Sequence, residues 1–140
     1  MIDRIQKDIL RSNRAAVVKE QKGLTKLRRR LLDLGGDEVA LRYEEDLEIL
    51  LLLGKEFVGK ARRRPGQQSQ CHSNAGKLYQ AGELAAIATG WALSADRIWR
   101  QHSWGIDWKG RIVETTEPRQ MYFGIYMVRQ SAEGFAEGNA

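Results

Sequence analysis

Cys71 is the only cysteine in the chain. An internal disulfide is therefore excluded, and a reducing, cytoplasmic setting is expected. Proline is nearly as scarce. Pro65 and Pro118 are the only two, so nothing in residues 1–64 interrupts a helix by ring geometry. Long apolar runs are missing as well. The longest, Ile49 to Leu53, is far below the roughly 20 residues a membrane helix needs. The opening stretch MIDRIQKDIL mixes acids with bases and has no apolar core of a secretory signal, so no membrane association is expected. Metal-ligand spacing of the CxxC or HxxxH kind is absent, and His72, directly after Cys71, points away from it on a helix. Gly54, Gly59, Gly66 and Gly76 form no phosphate-binding loop. Neither a metal nor another cofactor is expected.

The chain does have enough apolar material to fold. Its 140 residues are 42% hydrophobic and 29% charged, which fits one globular domain with a modest core. The net charge of +5 is unevenly placed. Residues 1–64 hold 16 Lys/Arg against 11 Asp/Glu, while residues 65–140 hold 7 of each. Arg28-Arg29-Arg30 and Arg62-Arg63-Arg64 concentrate the excess. These clusters suit either a solvated helix face or attraction to nucleic acid or an acidic protein.

The hydrophobic period divides the chain. From Ile2 to Leu34 the apolar residues recur at helical spacing, and Gly35-Gly36 suits a helix stop. Asp37 suits the N-cap of a second helix running to about Arg63. Two helices joined by a glycine turn would form a hairpin over residues 1–64. Pro65-Gly66 then marks a boundary. A short helix is expected from Cys71, with Ser69 as N-cap and Gly82 as stop. Four strands follow, Leu84–Leu93, Ile98–Ile106, Arg111–Thr116 and Met121–Val128. Residues 131–140 read as a flexible tail. The expected fold is α+β: an N-terminal helical hairpin packed on a 65–130 core of one helix and an antiparallel β-meander.

The stretch QHSWGIDWKGRIVETT, Gln101 to Thr116, carries the most chemistry. Asp107-Trp108-Lys109-Gly110 suits a type I turn with glycine in the left-handed region, which pairs Asp107 with Arg111. In that register Glu114 lies opposite Trp104 and diagonal to His102, all on one face. Diagonal neighbours are roughly 7–8 Å apart at the backbone, within reach of a glutamate. A carboxylate on one imidazole nitrogen fixes the tautomer and leaves the other nitrogen as a base. Cys71, at a helix start, is placed where unpaired N–H groups and the dipole favour a thiolate and an oxyanion. The bland alternatives are a buried cysteine, a packed histidine and a solvent-facing glutamate.

The order Cys71, His102, Glu114, with HSW…DWKGRIVETT around the last two, resembles the transglutaminase-like branch of the papain-like cysteine enzymes. Where that family usually has aspartate, this chain has Glu114. The resemblance spans about Gln67 to Tyr126 and implies a papain-like core in which His102 deprotonates Cys71. The implied activity is that of a cysteine-dependent hydrolase or acyltransferase, a peptidase, amidase or transglutaminase-like enzyme. The substrate would be a peptide, a protein or a small amide or ester, attacked through a thioester. Gln68, Gln70 and neighbouring Gln67 are candidate oxyanion donors, Asn74 a site-lining residue, and Trp104 a shield for the cysteine–histidine pair. The competing expectation is a non-enzymatic module whose basic helices bind nucleic acid or a protein partner.

Overall fold

A computed structural model describes residues 2–127 and 129–140. It is an α+β protein, as the change of period implies. Helix α1, Arg4–Glu20, opens with a capping box in which Asp3 accepts from the Gln6 amide at 2.7 Å. Its Ile5 and Ile9 remain exposed. Helix α2, Leu24–Leu34, buries Leu24, Leu27 and Leu31 completely. The break between the two helices falls at Gln21 to Gly23, earlier than the glycine pair; Gly35 caps α2.

A second long helix does not follow. Asp37 caps nothing: its amide donates to the Arg97 carbonyl at 2.8 Å, and Glu38–Val39 form strand β1. Only Leu47–Leu53 is helical (α3), followed by strands β2, Lys55–Phe57, and β3, Arg62–Arg63. The reason is tertiary. The Trp99 indole donates to the Gly35 carbonyl at 2.9 Å, and the Glu44 carboxylate is buried under the Trp91 indole at 2.9 Å. Those contacts draw residues 35–44 across the sheet and keep them out of helix. Helix α3 buries Leu47 and Leu50, while Ile49, Leu52 and Leu53 stay exposed.

Helix α4, Cys71–Gln80, matches its expected span. Gln70, not Ser69, is its N-cap; Ser69 has φ +61° and stands one residue outside. Gly82, at φ +78°, ends the helix with its amide on the Tyr79 carbonyl and the Glu83 amide on that of Leu78. This is the paired closure that a left-handed glycine permits. Strands β4, Ala86–Ser94, β5, Ile98–Ile106, β6, Ile112–Glu114, and β7, Arg119–Tyr126, complete the sheet. Val128, the expected end of the last strand, lies outside the described residues.

The order across the sheet is β2-β7-β4-β5-β6-β3, with β1 joined to β5. Strands β4, β5 and β6 do form a meander. Strand β7 then crosses back to the far side of β4, and β1 pairs in parallel with β5 and β3 with β6, so the sheet is mixed. Helices α2 and α3 cover Trp91, Leu93, Trp99 and Phe123. Across the sheet, Trp104, Tyr122, Phe57 and Ile112 make a separate cluster. The expected flexible tail is helix α5, Arg129–Asn139, which packs on α4 and buries Ala132 and Ala136. Small residues make that packing possible: a Cβ on Gly76 would lie 3.3 Å from the Ala136 Cα.

Candidate active site

The β5–β6 hairpin has the register its glycine implies. Gly105 pairs with Val113 and Ile106 with Ile112. Asp107 closes the loop through its amide on the Arg111 carbonyl at 3.0 Å, and Gly110 has φ +77°. The Asp107 carboxylate locks the turn by accepting from the Lys109 and Arg111 amides, both at 2.9 Å. His102, Trp104 and Glu114 therefore share a face.

His102 and Glu114 meet there. Imidazole Nε2 is 2.9 Å from Glu114 Oε1 and 3.1 Å from Oε2, and both side chains are buried. Burying a carboxylate is costly unless its oxygens are satisfied. Here Tyr122 donates its hydroxyl to Oε1 at 2.7 Å, and Thr116 donates its amide and hydroxyl to Oε2 at 3.0 Å each. Arg119, its side chain nearly buried, donates in turn to Thr116 Oγ1 at 3.1 Å and to Ser94 Oγ at 3.0 Å. Burial alone would raise Glu114, but His102, the Thr116 amide and Tyr122 outweigh it and hold the carboxyl at about 2. Glu114 is an anion at neutral pH.

Cys71 completes the line. It is the first residue of α4 and is partly buried. Its thiol interacts with the His102 side chain, which lowers the thiol and is itself raised by it. Since Nε2 is held by Glu114, Nδ1 is the nitrogen left for the thiol. The room for Cys71 comes from the shortness of β6. Its pairing with β5 ends at Gly105 and Val113, which leaves the Ser103 amide able to act on the Cys71 thiol. Burial pushes the thiol up, but His102, the Ser103 amide and the charge of Arg119 bring it below its ordinary value. Burial likewise pulls His102 down, and its bonds to Cys71 and Glu114 with the charge of Glu114 raise it overall. Both shifts favour a thiolate–imidazolium pair.

The surrounding residues divide. Trp104, fully buried, stacks on the His102 ring at 6.0 Å between centroids. Asn74 does not line the site. Its amide is a clamp, donating to the Gln67 carbonyl at 2.7 Å and accepting from the Gln67 amide at 3.1 Å. That clamp fixes the loop ahead of Cys71. Gln67, Gln68 and Gln70 are exposed, and none has its side-chain amide placed by a described hydrogen bond. The helix start itself offers the better oxyanion donors, since the first N–H groups of α4 lack intrahelical partners. His72 turns to the sheet, with Nδ1 2.8 Å from Ser103 Oγ.

Sequence reasoning missed Tyr122, Arg119 and the roles of Thr116 and Ser103. Only Thr116, two residues after Glu114 and on its face, carried a visible signal. The basic clusters are largely spent within the molecule. Arg28 pairs with Glu38 at 2.9 Å, Arg62 with Asp107 at 3.3 Å and Arg64 with Glu83 at 3.2 Å. Arg30 caps carbonyls of Leu51 and Gly54, and Arg63 donates to the Thr116 carbonyl.

No family model, no curated protein and no solved structure matches this chain.

Proposed function

We propose that this protein is a cysteine-dependent hydrolase or acyltransferase with a Cys71–His102–Glu114 triad, acting on an amide or ester. The observation that carries the reading is the buried line from carboxylate to imidazole to a thiol at a helix start. Structural histidine–glutamate pairs occur, but one saturated with three further hydrogen bonds and ending on a thiol of lowered pKa is what nucleophilic catalysis requires.

The chemistry follows from those atoms. The Cys71 thiolate attacks the carbonyl carbon, forming a C–S bond, and the oxyanion faces the free amides at the start of α4. As the carbonyl reforms, the C–N or C–O bond breaks and the leaving group takes the proton from the His102 imidazolium. Water or an amine then attacks the thioester while His102 accepts its proton, releasing an acid or a new amide and the thiol. Glu114 holds the ring and stays ionised throughout. This is the reaction class of the transglutaminase-like and papain-like enzymes the sequence resembles.

The test is labelling by iodoacetamide at neutral pH, followed by intact mass. Cys71 should react faster than a free thiol at the same pH, and His102→Ala should slow it to or below that rate. Labelling that is no faster than a free thiol and unaffected by His102→Ala would refute the reading.

A further inference from the structure

The Cys71–His102 pair has a companion one residue along each element. His72 Nδ1 lies 2.8 Å from Ser103 Oγ, and Ser103 Oγ donates to Thr89 Oγ1 at 3.1 Å. A hydroxyl has one proton to give. With that proton on Thr89, Ser103 accepts from His72, so Nδ1 carries the hydrogen. His72 is exposed, and its own burial does not demand the bond. The demand comes from Ser103, which is fully buried, because a buried hydroxyl needs partners. Strand β4 supplies one through Thr89, and helix α4 supplies the other through His72.

This arrangement sets the start of α4 astride β5. Neighbouring strand residues point to opposite faces, so His102 and Ser103 stand on the two sides of the sheet. Neighbouring helix residues diverge by about 100°. Cys71 can therefore act on His102 while His72 reaches Ser103. Strand β6 leaves the way clear, because its pairing with β5 stops at Gly105. Apart from the interactions of Cys71 itself, His72–Ser103 is the one side-chain hydrogen bond from α4 to β5 among the described residues. The Asn74 clamp ties α4 to its own preceding loop, and Gly76 lies against α5. We propose that His72 is a positioning residue for the reaction: its grip on Ser103 sets how far the Cys71 thiol stands from the His102 imidazole. The inference rests on the triad reading and adds a fourth side chain to it, on the sheet face away from the imidazole. Misplacing a reacting group by about 1 Å can cost about 100-fold in rate, which is the scale on which such a pin acts.

The experiment combines iodoacetamide labelling at neutral pH with the ultraviolet absorbance of the thiolate across pH. Both read Cys71 alone, since it is the only thiol. His72→Phe keeps a ring against Phe135, whose centroid is 5.5 Å away, and removes the donor. Labelling should slow by about 10- to 100-fold, and the thiolate should form at higher pH. His72→Asn puts an amide NH2 where Nδ1 stands and should recover most of the rate. His72→Gln puts it where Nε2 stands and should not. Ser103→Ala removes the acceptor but keeps the main-chain amide that acts on Cys71. It should match His72→Phe, and it carries the test should the phenyl ring disturb the packing. The double variant should lose no more than either single one, because both break the same bond. A thermal melt beside these separates the two roles: a purely structural bond lowers the melting temperature and leaves the thiolate titration in place. Wild-type labelling and titration in both His72→Phe and Ser103→Ala would overturn the inference and leave the triad standing. Equal losses in His72→Asn and His72→Gln, with Ser103→Ala unaffected, would assign the effect to the ring and overturn it as well. A wild-type thiol that labels no faster than a free one would remove the triad and this inference with it.

Discussion

Tyr122 and His102 hold the same carboxylate oxygen, Oε1 of Glu114, at 2.7 and 2.9 Å. The phenol is thus a second anchor for the acid that positions the imidazole. Burial and the charge of Glu114 both raise Tyr122, so it is a neutral donor at any working pH. Tyr122→Phe removes that donor with little change of shape. Stability should fall by about 1.5–3 kcal/mol, the range for a hydrogen bond to a charged group. Glu114 should become easier to protonate, moving the acid limb of the rate profile to higher pH. A denaturant titration and a pH–rate profile check both. An unmoved acid limb would make Tyr122 purely structural.

Glu114→Gln keeps the shape of the acid and removes its charge. It can also present its NH2 end to His102 and favour the wrong tautomer. Turnover should drop by roughly 10- to 10⁴-fold, with a smaller effect on KM. The thiol of Cys71 should titrate higher, since a weakly held imidazolium stabilises a thiolate poorly. Glu117, half exposed beside Arg119, is the control, and Glu117→Gln should change neither. Absorbance of the thiolate across pH gives the second readout. Equal losses from the two variants would show that Glu114 has no special role.

Cys71→Ser should abolish acyl transfer while leaving the far- and near-ultraviolet circular dichroism unchanged. Serine is nearly isosteric, and its hydroxyl is far less acidic than a thiol, so the same imidazole cannot activate it equally. Wild-type turnover in the serine variant would exclude Cys71 as the nucleophile.

Stability should carry the signature of the buried acid. Glu114 is held at about 2 against 4.5 for an unperturbed glutamate. A depressed carboxyl stabilises the fold fully above its unfolded value, and that contribution drains away as pH falls from about 4.5 toward 2. His102, raised above 6.5, has the opposite sign: its contribution is whole below 6.5 and is lost as pH rises through the folded value. The difference in stability between wild type and Glu114→Gln should therefore shrink on acidification, by up to about 1.4 kcal/mol per pH unit. Urea midpoints at half-unit pH steps measure it. Parallel curves for the two proteins would contradict the assigned ionisation.

Arg30 separates a structural cluster from a nucleic-acid surface. It donates to Leu51 O at 2.8 Å and Gly54 O at 2.9 Å, with its guanidinium 4.9 Å from the centre of the Phe123 ring. Arg30→Ala should cost about 1–3 kcal/mol by uncapping the last turn of α3 and removing the ring contact. A thermal melt reads this directly. An unchanged melting temperature would return Arg30 to the solvent-facing reading.

The site was legible because its geometry is local. Gly110 selects the turn, the turn sets the register, and the register puts Glu114 beside His102. Gly82 set the end of α4 in the same way. What could not be read depends on distant partners. Residues 37–64 look helical in isolation, yet Trp91 and Trp99 recruit Glu44 and Gly35 and keep residues 35–44 out of helix, so that only Leu47–Leu53 coils. Tyr122 and Arg119 reach Glu114 from β7, whose return to β4 has no counterpart in the local pattern. Asn74 looked like a site residue by helical spacing, and only the position of Gln67 reveals it as a clamp. The end of the chain looked frayed because Gly, Ala and Ser are poor in apolar surface, but small residues are what lets α5 lie against Gly76.

The crossing of β7 has a consequence for how the molecule is made. Strand β4 is flanked by β5 and β7, so one of its edges stays bare until the last strand of the sheet has been synthesised. Until then the nascent chain presents an open row of amides and carbonyls beside Trp91 and Leu93, a template for pairing with another chain. Tyr122 and Arg119 arrive on that same strand. The growing polypeptide thus acquires its protected edge and a fully satisfied Glu114 together, and a chain cut short before Arg119 would have an open β4 edge and a Glu114 without its Tyr122 donor.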